Sequence, residues 1–295
     1  MTDKMLPKYP IYIPSKGRAG CMLTAKLFDA SGVPYRIVVE PNQVEAYAEW
    51  GNRLLVLPDN NQGLVYSRNW IKDHARDEGH ERHWQFDDDI QYMMRVYRGN
   101  RLPIAANLAL GFAEQFVDRY ENVALASFNS SFFAPCRYGV TDSKFPPFYL
   151  NARCYTCFLV LNSLPNRWRR RYNEDTDMSL QVLADGWCTV LFNAFLIWTP
   201  ETMSHQGGQT DIYVNDGRLR MARQLESMWP GTVSMTRRHG RPQHMVKGDW
   251  SKFDTPLKKK PGVVIPESPN EGGMRLKAVA NVRDPLLKKL SEELK

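Results

Sequence analysis

Three consecutive aspartates, Asp87, Asp88 and Asp89, follow the apolar stretch HWQF at residues 83–86. Adjacent carboxylates repel one another, and a hydrophobic core gains nothing from such a cluster. The arrangement makes sense beside a positive charge. Alternate residues of an extended chain point the same way, so Asp87 and Asp89 flank Asp88 in a D-x-D pattern that can face one crevice. Two hard oxygen ligands with open positions suit Mg²⁺ or Mn²⁺ bridging to a phosphorylated substrate. An exposed acidic turn is the plain alternative; placement straight after a buried-strand pattern favours the metal.

Four other stretches carry chemistry-bearing side chains. In YIPSKGRAG, residues 12–20, a strand ends in a turn with Lys16 and Arg18 ahead of a helix. These two cations and the nearby backbone N–H groups can meet a nucleotide or its phosphates. The G-x-x-x-x-G-K spacing of a Walker loop is missing. In DNNQGLVYSRNWIKDHA, residues 59–75, Arg68 and Asn69 fall in the first turns of a helix. Arg68 there can grip a diphosphate bidentately or be an ordinary surface arginine. In RRRYNEDTDMSLQVLADGW, residues 169–187, Glu174, Asp175 and Asp177 open a helix. Carboxylates at that end complement the helix dipole; one of them can also serve as general base toward an acceptor hydroxyl. Arg169–Arg171 just upstream can keep the cluster ionised. Finally, His205 in SHQGGQT sits beside two glycines, which leave room for a close ligand. Cys154 and Cys157 form a lone CxxC without a second pair at zinc spacing, and read as core thiols.

Positioning these groups requires a sheet with covering helices. Strand patterns occur at YPIYIPS, YRIVVE, RLLVLP, HWQFDD, NVALASF, CYTCFLVL and TVLFNAFLIW, with helical patterns at Leu23–Ala30, Leu64–Glu78, Ala105–Tyr120 and Thr176–Leu183. The alternation predicts an α/β fold, an open and mostly parallel sheet with helices on both faces, whose later strands can pair antiparallel. Such sheets bind ligands in the crevice beyond their strand ends. After Thr199 the pattern changes to a polar loop, then a helix with Leu219, Met221, Ala222, Leu225 and Met228 as its apolar positions. From Pro230 to about Asn281 the chain is rich in Pro, Gly, Lys and Arg and reads as irregular, wrapped over the body. RDPLLKKLSEELK at the end reads as a short amphipathic helix. The expected division is residues 1–215 as the catalytic unit and 216–295 as a helix plus basic extension.

With 43% hydrophobic and 12% aromatic residues, the 295-residue chain can bury a real core. It shows no apolar run of membrane length and no signal-peptide core at its start. Five cysteines fit a reducing compartment. The net charge of +7 is concentrated: from Arg237 onward there are 14 Lys and Arg against 7 Asp and Glu, while residues 1–236 hold 25 of each sign. A basic appendage on a neutral body suits a polyanion such as nucleic acid, or is a solvated tail.

The ordered set of a basic first turn, an Arg-Asn helix, a D-x-D strand end, an N-E-D helix start and a late histidine resembles GT-A-type glycosyltransferases. Within that fold, IYIPSKGRAG, GLVYSRNW, FDDDI and NEDTDMSLQVLADGW look most like the TET-associated glycosyltransferases of bacteriophages. The resemblance covers roughly residues 9–215. It implies a UDP-sugar donor, Mn²⁺ or Mg²⁺ as cofactor, and 5-hydroxymethylcytosine in DNA as acceptor. It also implies functional coupling to a TET-type dioxygenase and action in the cytoplasm of the infected bacterial host. Carried over residue by residue, Asp87, Asp89 and His205 match the metal ligands and Asp175, beside Glu174, the base of inverting members. Lys16, Arg18, Arg68, Asn69 and Asp88 match the donor side. The aromatic segments FFAPCRYG and KFPPFYLN can stack on an extruded base, line the sugar pocket, or simply cover the core. Three rivals remain. One is the same fold with a non-DNA acceptor. Another is a metal-dependent DNA nuclease, for which His80 and His83 precede the aspartates. The last is a non-catalytic DNA-binding protein.

Overall fold

The computed structural model describes residues 5–97, 100–134, 146–200, 216–238 and 240–265. Ten strands form one mixed sheet in the order β3-β2-β1-β4-β9-β7-β10-β5-β6, with β8 also paired to β10. The first half is β1 (Ile11–Pro14), β2 (Arg36–Val39), β3 (Leu54–Val56) and β4 (Arg82–Phe86), all parallel. The second half is built on β7 (Val123–Ser130) and β10 (Cys188–Trp198), also parallel. Between the halves, β9 (Cys157–Leu161) runs antiparallel to both β4 and β7. The short strands β5 (Tyr92–Tyr97), β6 (Asn100–Pro103) and β8 (Phe148–Leu150) extend the far edge antiparallel. The α/β class and the open sheet are those expected, with two parallel blocks joined through the antiparallel β9 and further antiparallel strands at the far edge.

Alternation along the strands assigns the helices to faces. Ile11 and Ile13 share a core with Phe28 of α1 (Leu23–Ser31) and Phe116 of α3 (Ala106–Val117), whereas Tyr12 packs with Ile71 and Ala75 of α2 (Leu64–Asp77). On that second face, Met178 and Val182 of α4 (Glu174–Ala184) cover Leu125, Phe158 and Val160. The four helices thus lie two to a face. Every residue of β4 is buried, including Arg82, His83 and Gln85. Each of the three side chains has a partner: Arg82 Nη2 donates to the Val123 carbonyl at 2.9 Å, His83 Nδ1 meets Asn162 Oδ1, and Gln85 donates to the Arg68 carbonyl at 3.0 Å, while Nε and Nη1 of Arg82 have none among the described residues. A strand so enclosed needs this, because each unpaired polar group would cost about 1–3 kcal/mol. Its fixed place matters, since the aspartates begin immediately after its last residue, Phe86.

Beyond residue 215 the chain departs from the expected irregular path. Helix α5 (Gly217–Met228) is as the apolar spacing predicts, but the stretch after Pro230 forms a hairpin of β11 (Val233–Arg238) and β12 (Arg241–Val246). Val233 and Val246 bury against Leu180 of α4 and Leu225 of α5. Residues 254–260 then run along the body: Asn151 and Asn122 donate to the Thr255 and Pro256 carbonyls, and Lys260 N–H to the Arg119 carbonyl. The strand expected over both cysteines starts at Cys157; Cys154 precedes it, and both thiols are free and buried. The expected C-terminal helix lies outside the described residues.

Candidate active site

β1 has β2 on one side and β4 on the other, so strand order reverses between β1 and β4 and their following loops part to leave a crevice. Those loops meet there. Ser15 Oγ donates to Asp88 Oδ2 at 2.5 Å, and Arg18 Nη1 lies 2.5 Å from Asp88 Oδ1 and 3.1 Å from Asp89 Oδ2. Thr24, in the first turn of α1, donates to the Asp87 carbonyl at 2.6 Å and accepts from the Ile90 N–H at 2.9 Å. Gly17 takes φ +68°, a left-handed turn that suits glycine, and its N–H donates to Gln43 Oε1. The turn after β1 therefore pins the aspartate loop at several points.

The two acidic motifs, 85 residues apart in sequence, are joined by one arginine. Arg68 of α2 is 2% exposed; its Nη2 donates to Asp87 Oδ1 at 2.9 Å, and its Nε is 3.8 Å from Glu174 Oε1. Its guanidinium lies over the Phe158 ring, 4.9 Å from the centroid. At the start of α4, Asn173 adopts a left-handed conformation and donates to the Met221 carbonyl at 2.8 Å. The next residue, Glu174, is thereby turned inward. Asp175 lies in the first turn: Oδ1 accepts from the Thr176 N–H at 2.6 Å, while Oδ2 lies 3.5 Å from Arg153 Nε.

Five carboxylates, Asp87, Asp88, Asp89, Glu174 and Asp175, meet three guanidiniums, Arg18, Arg68 and Arg153. The surplus of negative charge marks the titration of the site. Burial pushes Asp87 up to about 7 against the lowering pull of Arg68, and Asp89, Glu174 and Asp88 push it further. Burial and Asp175 likewise raise Glu174, and burial raises Asp88. Such a set is short of positive charge, and hard oxygen donors with unmet charge suit a divalent ion. Asp87 and Asp89 keep 35% and 31% of their side-chain surface open, so both can reach a ligand in the crevice. Among the described residues no three His, Cys, Asp or Glu side chains form a complete metal set. Asp87 and Asp89 are the two expected ligands among the described residues; the third, His205, lies outside them.

Other expected contacts have partners within the chain. Lys16 pairs with Glu40 at 2.7 Å and Asn61 at 2.8 Å, at the mouth and nearly half exposed. Asp88 is spent on Ser15 and Arg18. Asn69 uses both ends of its amide on the backbone of Trp168, at 2.7 and 3.0 Å, which fixes the loop entering α4. Arg169 does not hold Glu174 or Asp175 ionised; it pairs with the buried Asp177 at 2.8 and 3.0 Å. Two site neighbours escape sequence reasoning, Arg153 and His244. His244 of β12 brings Nε2 to 3.4 Å from the Thr176 hydroxyl, itself 3.2 Å from Asp175 Oδ1. Burial, then Arg153, lower its imidazole to about 4, so it is neutral near pH 7. Neither residue stands in a motif, and no local periodicity points to them.

The mixed α/β sheet with helices on both faces is consistent with a GT-A-like glycosyltransferase, and Arg68 joins its two acidic motifs. The sequence signature of the TET-Associated Glycosyltransferase family matches residues 9–208. The chain belongs to that family and is a glycosyltransferase, whose family implies a nucleotide-sugar donor and a modified DNA acceptor. No curated protein matches it. No helix among the described residues is long and apolar enough to cross a membrane.

Proposed function

We propose that the protein moves a sugar from a UDP-sugar to the hydroxymethyl group of 5-hydroxymethylcytosine in DNA. The observation that carries this reading is Arg68, which draws the D-x-D loop and the start of α4 to one crevice. Asp87 and Asp89 would hold Mn²⁺ or Mg²⁺, and His205 would complete the shell. A divalent ion there neutralises charge developing on the departing diphosphate. Arg18 and Lys16 line the donor side, and Arg68 keeps Asp87 oriented. Asp175 Oδ2 takes the proton of the acceptor hydroxyl in an inverting transfer, with Oδ1 fixed by Thr176. Glu174, raised by burial, stays close to Arg68 and sets the helix start. The acceptor's hydroxyl comes from oxidation of a methylated base, the reaction of a TET-type dioxygenase. The basic C-terminal part fits a DNA acceptor better than a neutral one.

The test is mass spectrometry of nucleosides from hydroxymethylated and unmodified DNA, each incubated with the protein, Mn²⁺ and a panel of UDP-sugars. A hexose or N-acetylhexosamine mass on the hydroxymethylated base alone is the expected result. Donor hydrolysis without added mass would move the acceptor away from DNA, and strand cleavage would support a nuclease. In the same assay, Asp175→Asn should lose transfer by about 10²-fold or more while binding donor normally. Full transfer by that variant would exclude Asp175 as the base.

A further inference from the structure

The hairpin β11–β12 lies beyond the family-matched residues, yet its root is fixed at the site. Val233 and Val246 anchor it against α4 and α5. His244, two residues from Val246 and so on the same face, sits at the Thr176 hydroxyl beside Asp175. From there the ladder continues outward through Met235↔His244, Thr236↔Gln243 and Arg237↔Pro242 to Arg238↔Arg241, closed by Gly240 at φ +73°.

The composition of this ribbon is one-sided. Residues 233–246, VSMTRRHGRPQHMV, hold three arginines and no Asp or Glu. Arg237, Arg238 and Arg241 are all exposed. Among the described residues none of the three has an ion-pair partner, in contrast to Arg169 and Arg153 nearby. Arg238 and Arg241 stand directly opposite each other. Like charges in that position destabilise a two-stranded ribbon. An anion placed between the two guanidiniums removes the repulsion and accepts charge-assisted hydrogen bonds from both. Three steps along β12, about 10 Å at about 3.3 Å per residue, lead from His244 to Arg241; alternation puts Arg237 on the face of His244 and puts Arg238 and Arg241 on the other, so the guanidiniums flank the tip on both sides. That reach carries from a base presented at Asp175 to the sugar–phosphate backbone of its own strand.

We propose that Arg237, Arg238 and Arg241 form a clamp on backbone phosphates of the acceptor strand, held in register with Asp175 by the His244 contact. This rests on the DNA-acceptor reading above. The clamp positions the strand and reads no base sequence, because its contacts are to phosphate.

The test compares wild type with the combined Arg237→Gln, Arg238→Gln, Arg241→Gln variant on hydroxymethylated DNA across a salt series. KM for DNA should rise by about 30-fold or more with the donor KM unchanged. The slope of log KM against log salt should flatten by about 2 to 3, since each lost phosphate contact removes about 0.9. A merely structural tip would not move the salt slope. If the combined variant has a lowered melting temperature, Arg238→Gln alone serves, with an expected flattening of about 1. Wild-type KM and slope in a folded variant would overturn the clamp while leaving the acceptor assignment intact. Failure of the wild-type protein itself to glycosylate DNA would remove both.

Discussion

Asp87 and Asp177 belong to the two acidic motifs of the same crevice, and their surroundings are opposite. Asp177 is fully buried and satisfied: Arg169 and Gln181 donate to Oδ2, each at 2.8 Å, while Arg169 at 3.0 Å and Trp229 at 2.7 Å donate to Oδ1. Those contacts tie α4 to the segment following α5. Asp87 keeps 35% of its side-chain surface exposed, has Arg68 as its one donor among the described residues, and is pushed up to about 7, chiefly by burial. A carboxylate whose oxygens are all taken has a structural duty. One left short of positive charge at a crevice mouth is poised for a ligand.

Four substitutions or conditions can break or sharpen that contrast. The largest effect is expected for Asp87→Asn, with transfer reduced by about 10²–10³-fold and the melting temperature close to wild type. Comparable losses of stability and activity would erase the distinction. Asp177→Ala should do the reverse, costing about 3 kcal/mol in urea unfolding, because Arg169, Gln181 and Trp229 lose their acceptor. A near-neutral result would show that Asp177 is not the brace described.

His83 offers a pH version of the same argument on β4. It is buried and neutral, and burial lowers it to about 3 from an ordinary 6.5. Between those values the unfolded chain binds the extra proton. Stability is therefore complete above pH 6.5 and is lost as pH falls toward 3, by about 1.4 kcal/mol per unit. Unfolding measured from pH 7 to 5 in wild type and His83→Gln should show a shallower slope in the variant; identical slopes would contradict the burial argument. The smallest effect belongs to Asn69→Ala, about 1–2 kcal/mol, from two hydrogen bonds to the loop before α4. If donor binding falls while unfolding is unchanged, Asn69 is a donor contact rather than a brace.

The sheet's core strands were legible because β1, β2, β7, β9 and β10 are largely apolar runs between turn signals, and β4 alternates Trp84 and Phe86 with polar residues. The hairpin β11–β12 was not. Its exposed ribbon carries Thr, Arg, Gln and Pro, so only Val233 and Val246 mark a buried face, and Gly240 and Pro242 read as breakers. In the site, acidic clusters showed themselves by spacing alone, as did the helix carrying Arg68. Their partners did not: the pairing of Arg18 with Asp88 and Asp89 joins residues some 70 positions apart. Arg153 and His244 reach Asp175 only through tertiary contacts, which local sequence does not encode.

The contrast between satisfied and unsatisfied carboxylates is most directly tested by calorimetric titration of UDP into wild type and Asp89→Asn, each with and without Mn²⁺. The expected result is Mn²⁺-dependent UDP binding by wild type, weakened by about 30-fold or more in Asp89→Asn, with both proteins melting at nearly the same temperature. Equal UDP affinity in the two proteins, or binding by wild type that ignores Mn²⁺, would contradict the assignment of the Asp87–Asp89 loop as the metal and diphosphate site.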